Sequence, residues 1–548
     1  MSSYSPQVRS ERNHPRRVQT AGVTWTARDD LIGRGSFKQM CRDWIIGMSL
    51  ANLALLRVWS ELLTTRPADG YVLCHPPRPV DLAAAMIDVG VLAVLFCAVA
   101  AIARRFGFGR IAMQWGIVLS FAFPANAVRQ VLANSGVDDL GAAALRSGHW
   151  HGVVFAGAAG ACLSIGALIG WRDRLARIVA AALLVSSPFV LVTFSQAVMG
   201  IVHYRPSAYD DKKLAPPVPT GLPERRVLWV IFDEMDERLT FVNRNPKLRL
   251  PELDRFRADG FSASDAWSPD RVTLQSLPDL ITGRRAATVR ALAPDDLLRT
   301  YGSGVTEHWQ NEPNVFSRAR DAGFNTALAG WYHPYGRMLN GSLTACEWVE
   351  QPNLYNSTGN TLAEVAVNQV RSVMETSFLS PFGQSLATRH QVRNYRAVLA
   401  AATAFAADPR LGFVLVHFPV PHPPYIYDSR TGRFDLSNSA VAGYTDALAL
   451  ADRTLGQLRT AMQVAGVWDR TAVLLSADHG YRSTVSVDGG GIADRWVPFL
   501  LKLPGQHEHY EYRNHVETLC SGNLLLNILT GNIATPADVA EALGLTEK

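Results

Sequence analysis

The sequence predicts a two-part α/β protein: a five-helix transmembrane anchor, then a domain built on a central, mostly parallel sheet flanked by helices. Three observations predict it. Five apolar stretches of membrane-spanning length crowd into the first 204 residues. Continuous apolar runs of strand length, the mark of strands buried on both faces, recur after residue 225. Those runs end in Asp, Glu or His, and open α/β sheets gather their ligands beyond the carboxyl ends of such strands. At 548 residues the chain is also too long for one core.

The anchor comes first. Residues 44–63, 82–103, 111–131, 152–171 and 178–201 each suit a bilayer crossing of roughly 17–25 residues. Arg104, Arg105 and Arg110 lie between the second and third stretches, and Arg172, Arg174 and Arg177 between the fourth and fifth. The 132–151 segment instead carries Asp138 and Asp139 with only Arg146. Positive charge favours the cytoplasmic side, so both Arg clusters and the Arg-rich residues 1–43 are expected inside. Five crossings then put everything after a Pro-rich connector at 205–225 outside. Arg57 and Glu61, four residues apart in the first stretch, read as a local pair near the headgroups.

Charge separates the halves. Residues 1–205 hold 20 Lys+Arg against 11 Asp+Glu, and the remaining 343 hold 33 against 37. Nucleic-acid binding needs a basic soluble surface; this one is mildly acidic, which excludes that class. Six cysteines do not make a disulfide scaffold. Cys74, Cys346 and Cys520 fall outside, and nothing in their spacing requires a Cys346–Cys520 bridge.

In the domain at 226–548, Arg226-Val-Leu-Trp-Val-Ile-Phe232 reads as a central strand ending in Asp233-Glu234. Gly412-Phe-Val-Leu-Val-His417 is a second, followed by Pro421-His422-Pro423-Pro424. An amphipathic helix over 445–464 leads into a third, Thr471-Ala-Val-Leu-Leu475, which ends in Ser476-Ala477-Asp478-His479-Gly480. Residues 276–282 read as a helix with Ser276 as its cap and Pro278 early in it, placing Thr273 just before a helix N-terminus, where free N–H groups favour an anion. Read alone, Thr273 is an ordinary capping or turn residue.

Together these segments resemble the alkaline phosphatase superfamily, in particular its sulfatase-like branch. The order is strand-Asp-Glu, Pro251-Glu-Leu-Asp-Arg-Phe-Arg-Ala-Asp-Gly260-Phe261, the Thr273–Gly283 segment, Arg318-Ala-Arg-Asp-Ala-Gly323 through Trp331-Tyr-His333, His422, Asp478-His479-Gly480, and Arg495-Trp-Val-Pro498. In that family the nucleophile lies ten residues before the glycine of a Thr-Gly pair; counting back from Gly283 gives Thr273. Sulfatases carry there a cysteine or serine that becomes formylglycine, which threonine cannot, and Gln275 and Leu277 replace their Pro and Arg. Thr273, Ser276 and Pro278 are closer to membrane-bound phosphoethanolamine transferases, which, like lipoteichoic-acid synthases, join a five-span anchor to an exported catalytic domain.

The resemblance implies a divalent metal held by Asp233, Glu234, Thr273, Asp478 and His479. A mixed nitrogen and oxygen set suits Zn²⁺, then Mn²⁺, better than Ca²⁺. It implies His333, His417 and His422 as donors to the substrate, with Trp331 replacing the lysine of the sulfatase Gly-Lys-Trp-His run. His507, His509 and His515 read as solvated loop residues, with a second metal site as the alternative. The implied reaction moves phosphoethanolamine or glycerol phosphate from a phospholipid donor, through a Thr273 adduct, to an envelope glycan or glycolipid acceptor at a bacterial inner membrane. A phosphatase, phosphodiesterase or atypical sulfatase of the same fold is the alternative. A non-catalytic scaffold has no physical need for these polar groups, and a transporter would need more intramembrane charge.

Overall fold

The computed structural model describes residues 27–63, 69–105, 109–132, 171–219, 221–339, 341–351, 358–375, 385–434, 440–482 and 495–545. Among these residues three helices are long and apolar enough to cross a membrane: Pro79–Arg105, Ile111–Val128 and Trp171–Val202. Helices Phe37–Ala54 and Leu56–Leu63 add a fourth only if the pair, bent by 63°, counts as one span. The expected five-helix anchor is therefore corrected to three such helices, or four with the bent pair.

The stretch expected at 44–63 is interrupted because its second half is amphipathic. Val58, Trp59 and Leu62 are buried while Arg57 pairs with Glu61 at 3.5 Å on the other face, a pattern that suits the membrane interface better than its centre. The stretch expected at 152–171 lies outside the described residues but for Trp171. The chain is a multi-pass membrane protein. Its helices are tied by polar contacts as well as packing: Thr193 donates to Asn52 at 2.8 Å, and Arg104 pairs with Asp43 at 2.5 Å.

Beyond the membrane helices the described residues form thirteen strands: β1 (Arg226–Phe232), β2 (Phe261–Trp267), β3 (Thr288–Ala293), β4 (Asp296–Thr300), β5 (Thr306–His308), β6 (Asn325–Trp331), β7 (Ala345–Val349), β8 (Leu411–Phe418), β9 (Tyr427–Asp428), β10 (Arg433–Phe434), β11 (Thr471–Ser476), β12 (Phe499–Lys502) and β13 (Tyr510–Glu517). Eight make the main sheet, in the order β13-β2-β12-β11-β1-β8-β6-β7. Only β12 runs against its neighbours, so the sheet is mostly parallel, as the apolar runs predict.

Every residue of β1 and β8 is buried. Alternate β1 side chains serve opposite cores: Leu228, Val230 and Phe232 on one face, Val227, Trp229 and Ile231 on the other. At the amino end of β1, the buried Arg226 guanidinium donates to the carbonyls of Leu411, Ala406 and Asp408 and to Thr471 Oγ1, so its charge is never left without acceptors. At the opposite end the four central strands β11, β1, β8 and β6 finish side by side, and the polar residues that follow them gather there. Cys346 and Cys520 are unbridged thiols.

The two halves touch directly. The turn at Asp69–Val72 and the start of the Pro79–Arg105 helix lie against the sheet domain: Gln351 N–H donates to the Val72 carbonyl at 3.2 Å, Arg78 to Gly359 O at 2.7 Å, and Gln369 to Asp81 O at 3.0 Å.

Candidate active site

Asp233 follows β1, Asp478 and His479 follow β11, His417 closes β8, and His333 follows β6. Because these strands are neighbours and parallel, five polar side chains separated by up to 246 residues share one rim. Ligand atoms of Asp233, Asp478 and His479 all lie within 4.8 Å of one another, and all three residues are buried.

Thr273 joins them from the side. The helix carrying it, Thr273–Thr282, begins three residues before the expected 276 start, with Val272 as its cap. Ser276 is therefore inside the first turn, and its hydroxyl donates to the Asp478 carbonyl at 2.5 Å, docking the helix on the β11 end. Gly283, at φ 70°, ends the helix in the left-handed region. The Thr273 hydroxyl donates toward Asp233 Oδ2 at 3.5 Å and lies 3.3 Å from His479 Nε2.

The ring of His479 is oriented by its other nitrogen. Nδ1–H donates to the Gly480 carbonyl at 2.9 Å, which leaves the Nε2 lone pair facing Asp233 Oδ1 and Asp478 Oδ2, each at 3.5 Å. Asp233 Oδ1, Asp478 Oδ2 and His417 Nε2 are buried without a hydrogen-bond partner. Two buried carboxylates and a bare imidazole nitrogen in contact are costly unless positive charge sits among them. Burial opposes charge on His479, but Asp478 and Asp233 outweigh it and raise its pKa. Burial would raise the Asp233 pKa, yet His422, His417 and His479 hold it well below the usual carboxylate range. This donor set fits a divalent cation held by Asp233, Asp478 and His479, with Thr273 Oγ1 beside them.

Glu234 is held differently. Its backbone turns at φ 67°, its N–H donates to Asp478 Oδ1 at 3.2 Å, and its carboxylate accepts from Arg482 Nε at 3.3 Å. It is not one of the three residues whose ligand atoms converge. His417 Nε2 lies 3.6 Å from Asp233 Oδ2, while Nδ1 is 3.0 Å from the Tyr335 hydroxyl. His422 sits at the mouth, its ring edge-on to Trp331 at 5.2 Å and its Nε2 3.3 Å from Arg482 Nη2. His333 is fully buried, and burial pushes its pKa down to about 3. Its two nitrogens already have protein partners, the Thr273 carbonyl and the Tyr71 hydroxyl, both at 2.9 Å.

The remaining histidines lie elsewhere. His515, on the edge strand β13, meets Asp265 at 3.2 Å, His509 meets the Arg257 carbonyl at 2.8 Å, and His507 lines a cleft with Glu252 and Lys502. Sequence reasoning missed Arg482, Tyr335 and Tyr71. Arg482 had a signal, as a cation two residues past Asp478-His479-Gly480; the tyrosines had none, since only folding puts them against His417 and His333.

Residues 225–521 match the sulfatase family. No curated protein matches the chain. Among solved structures, Ps i-CgsB in complex with k-i-k-neocarrahexaose is 15% identical, with 57% of this chain and 73% of that one covered and a TM-score of 0.40. A putative sulfatase from Bacteroides thetaiotaomicron is 16% identical, with 58% and 73% covered and a TM-score of 0.37. The phosphonate monoester hydrolase SpPMH from Silicibacter pomeroyi is 13% identical, with 56% and 73% covered and a TM-score of 0.39.

Proposed function

The chain belongs to the sulfatase family, and on that premise we propose that it is a membrane-anchored, metal-dependent phosphoric ester hydrolase with Thr273 as nucleophile. The carrying observation is the Thr273 hydroxyl at 3.3 Å from His479 Nε2 and 3.5 Å from Asp233 Oδ2, beside carboxylate oxygens with no partner of their own. A divalent ion bound by Asp233, Asp478 and His479, with Zn²⁺ preferred and Mn²⁺ next, would lower the cost of the alkoxide and of negative charge on the phosphoryl group.

The chain's own residues would do the rest. Asp233 Oδ2 receives the hydroxyl proton as Thr273 Oγ1 attacks phosphorus; the Oγ1–P bond forms and the ester P–O bond breaks. Arg482 donates from Nη2 to His422 Nε2, so that ring keeps its hydrogen on Nδ1, toward the Pro423 carbonyl, and steadies Arg482 to face the anionic oxygens. His417, with Nε2 free of a hydrogen-bond partner, is the inner donor to the phosphoryl oxygens. The departing alkoxide takes its proton from water, the hydroxide so formed attacks the phosphothreonine, the proton held by Asp233 returns to Thr273 Oγ1, and phosphate or its monoester leaves. Glu234 acts through Arg482, and His333 through the Thr273 carbonyl. A free threonine supports phosphoryl transfer, whereas formylglycine sulfatase chemistry has no route from it.

A second reading, transfer of phosphoethanolamine or glycerol phosphate from a phospholipid to an envelope acceptor, is favoured by one observation: a loop of the membrane half packs against the site domain. Under either reading the membrane unit assigned to residues 44–204 reaches back to Phe37 through its first helix, with the connector at 205–225 and the catalytic domain at 226–548. The helix entering the connector carries Arg172, Arg174 and Arg177 at its start. Local charge therefore supports a catalytic domain outside a bacterial inner membrane, with residues 1–43 inside.

The test uses the full chain in detergent with Zn²⁺ or Mn²⁺ and 4-nitrophenyl phosphate, bis(4-nitrophenyl) phosphate or 4-nitrophenyl sulfate. Phosphoester turnover lost in Thr273→Ala, with a phosphate-bearing adduct on Thr273 by mass spectrometry, is expected. Full turnover by a folded Thr273→Ala, or sulfate cleavage alone, would overturn it. Labelled phospholipid with membrane acceptor separates transfer from hydrolysis.

A further inference from the structure

We infer that Tyr71, from the turn between the first two membrane helices, is a positioning residue of the catalytic site: its hydroxyl holds the ring of His333, whose other nitrogen binds the Thr273 carbonyl. The inference rests on Thr273 being the nucleophile.

The tautomer follows from the partners. The Thr273 carbonyl, 2.9 Å from His333 Nε2, can only accept, so Nε2 carries the hydrogen. Nδ1 of the neutral ring is then an acceptor, and the Tyr71 hydroxyl at 2.9 Å must donate to it. Tyr71 is 1% exposed and His333 0%, so both bonds are shielded from bulk solvent. The chain runs from the membrane half through one imidazole to the backbone of the proposed nucleophile, across 262 residues of sequence.

The turn that carries Tyr71 is gripped by the catalytic domain. Arg337, fully buried, donates from Nη2 to the carbonyls of Tyr71 at 3.2 Å and Leu73 at 2.5 Å. Glu350 accepts from Cys74 N–H at 2.8 Å, and Gln351 N–H donates to the Val72 carbonyl at 3.2 Å. These bonds hold the turn by its backbone and leave the Tyr71 side chain to reach inward, where its ring meets His333 edge-on at 5.8 Å. Packing alone would need only a phenylalanine; among the described residues the hydroxyl has one hydrogen-bond partner, and that partner touches the Thr273 helix. The catalytic site is thus completed by the membrane half, which makes the two parts one functional unit.

The test is a double-mutant cycle in the full chain, with Tyr71→Phe, His333→Phe and both together, read by turnover of the active 4-nitrophenyl ester and by ¹⁵N-histidine NMR. Tyr71→Phe keeps the packed ring and is expected to lower kcat about tenfold with KM little changed. It is expected to have no further effect in the His333→Phe background. In the wild-type protein the His333 resonance, identified by its loss in His333→Phe, should show the Nε2–H tautomer, and Tyr71→Phe should shift Nδ1. Additive losses, an Nδ1–H tautomer, or an Nδ1 signal indifferent to Tyr71→Phe would overturn the inference. If the wild-type chain turns over none of the esters, the hydrolase reading fails, and the NMR arm still decides the role of Tyr71.

Discussion

Replacing Arg299 with methionine is expected to destabilise the catalytic domain at the helix that carries Thr273. Arg299, on β4, is 0% exposed. Its guanidinium donates to Asp279 Oδ1 at 2.7 Å, Glu312 Oε2 at 2.6 Å, Thr282 Oγ1 at 3.0 Å and the Arg284 carbonyl at 2.7 Å. Asp279 and Thr282 belong to the Thr273–Thr282 helix, so one side chain ties that helix to the small β3–β4–β5 sheet. Removing the cation leaves Asp279 with the Ala286 N–H and Glu312 with the Tyr301 hydroxyl and Arg284 Nη1, and breaking a buried pair this way costs about 3–5 kcal/mol. At about 2–4 °C per kcal/mol for a large domain, the melting temperature should fall by roughly 6–20 °C. Burial already pushes the Asp279 pKa up to about 6 with Arg299 present, so protonation relieves the variant. Its deficit against wild type should therefore shrink between about pH 7.5 and about pH 5. Thermal unfolding of the detergent-solubilised chain at both pH values measures this, with ester turnover in parallel. A deficit under about 2 °C, or one equal at the two pH values, would refute the reasoning.

Four further outcomes are expected. Glu237, 3% exposed, has its pKa raised by burial to about 8 from 4.5. Between those values the unfolded chain has lost its proton and the folded one keeps it, so stability present below 4.5 is lost as pH rises toward 8. Glu237→Gln should remove that slope, worth up to about 4–5 kcal/mol, and gain most in melting temperature near pH 8. Gly330→Ala would set a Cβ 2.7 Å from the Tyr335 ring and 3.3 Å from His417 Cβ; turning Tyr335 off His417 Nδ1 should cost about 1–3 kcal/mol and lower kcat, read by unfolding and steady-state kinetics. Chelation should abolish turnover and lower the melting temperature, and Zn²⁺ at about a hundredfold over Kd should restore about 3 kcal/mol. Asp478→Asn should blunt that metal-dependent gain.

By itself the sequence determined what depends on neighbouring residues. The apolar runs at 226–232, 412–417 and 471–475 were legible as strands, observed at Arg226–Phe232, Leu411–Phe418 and Thr471–Ser476, because burial on both faces demands uninterrupted apolar side chains. Asp233, Asp478 and His479 were legible as a group because acidic and imidazole groups directly beyond such strands have few other uses. Hydropathy placed five crossings where the described residues hold three long apolar helices, or four with the bent pair; it averages over a window, and so it could not see that 44–63 bends where its second half acquires a polar face.

Only the tertiary structure decided which polar atoms meet. It started the helix of the proposed nucleophile at Thr273, because the contact that seats it, Ser276 with the Asp478 carbonyl, joins residues 202 apart. It set Glu234 on Arg482, and it gave His333 two protein partners, one of them Tyr71 from the membrane half. Burial and periodicity are written residue by residue along the chain, whereas hydrogen-bond partners depend on distances that exist only after distant segments have packed.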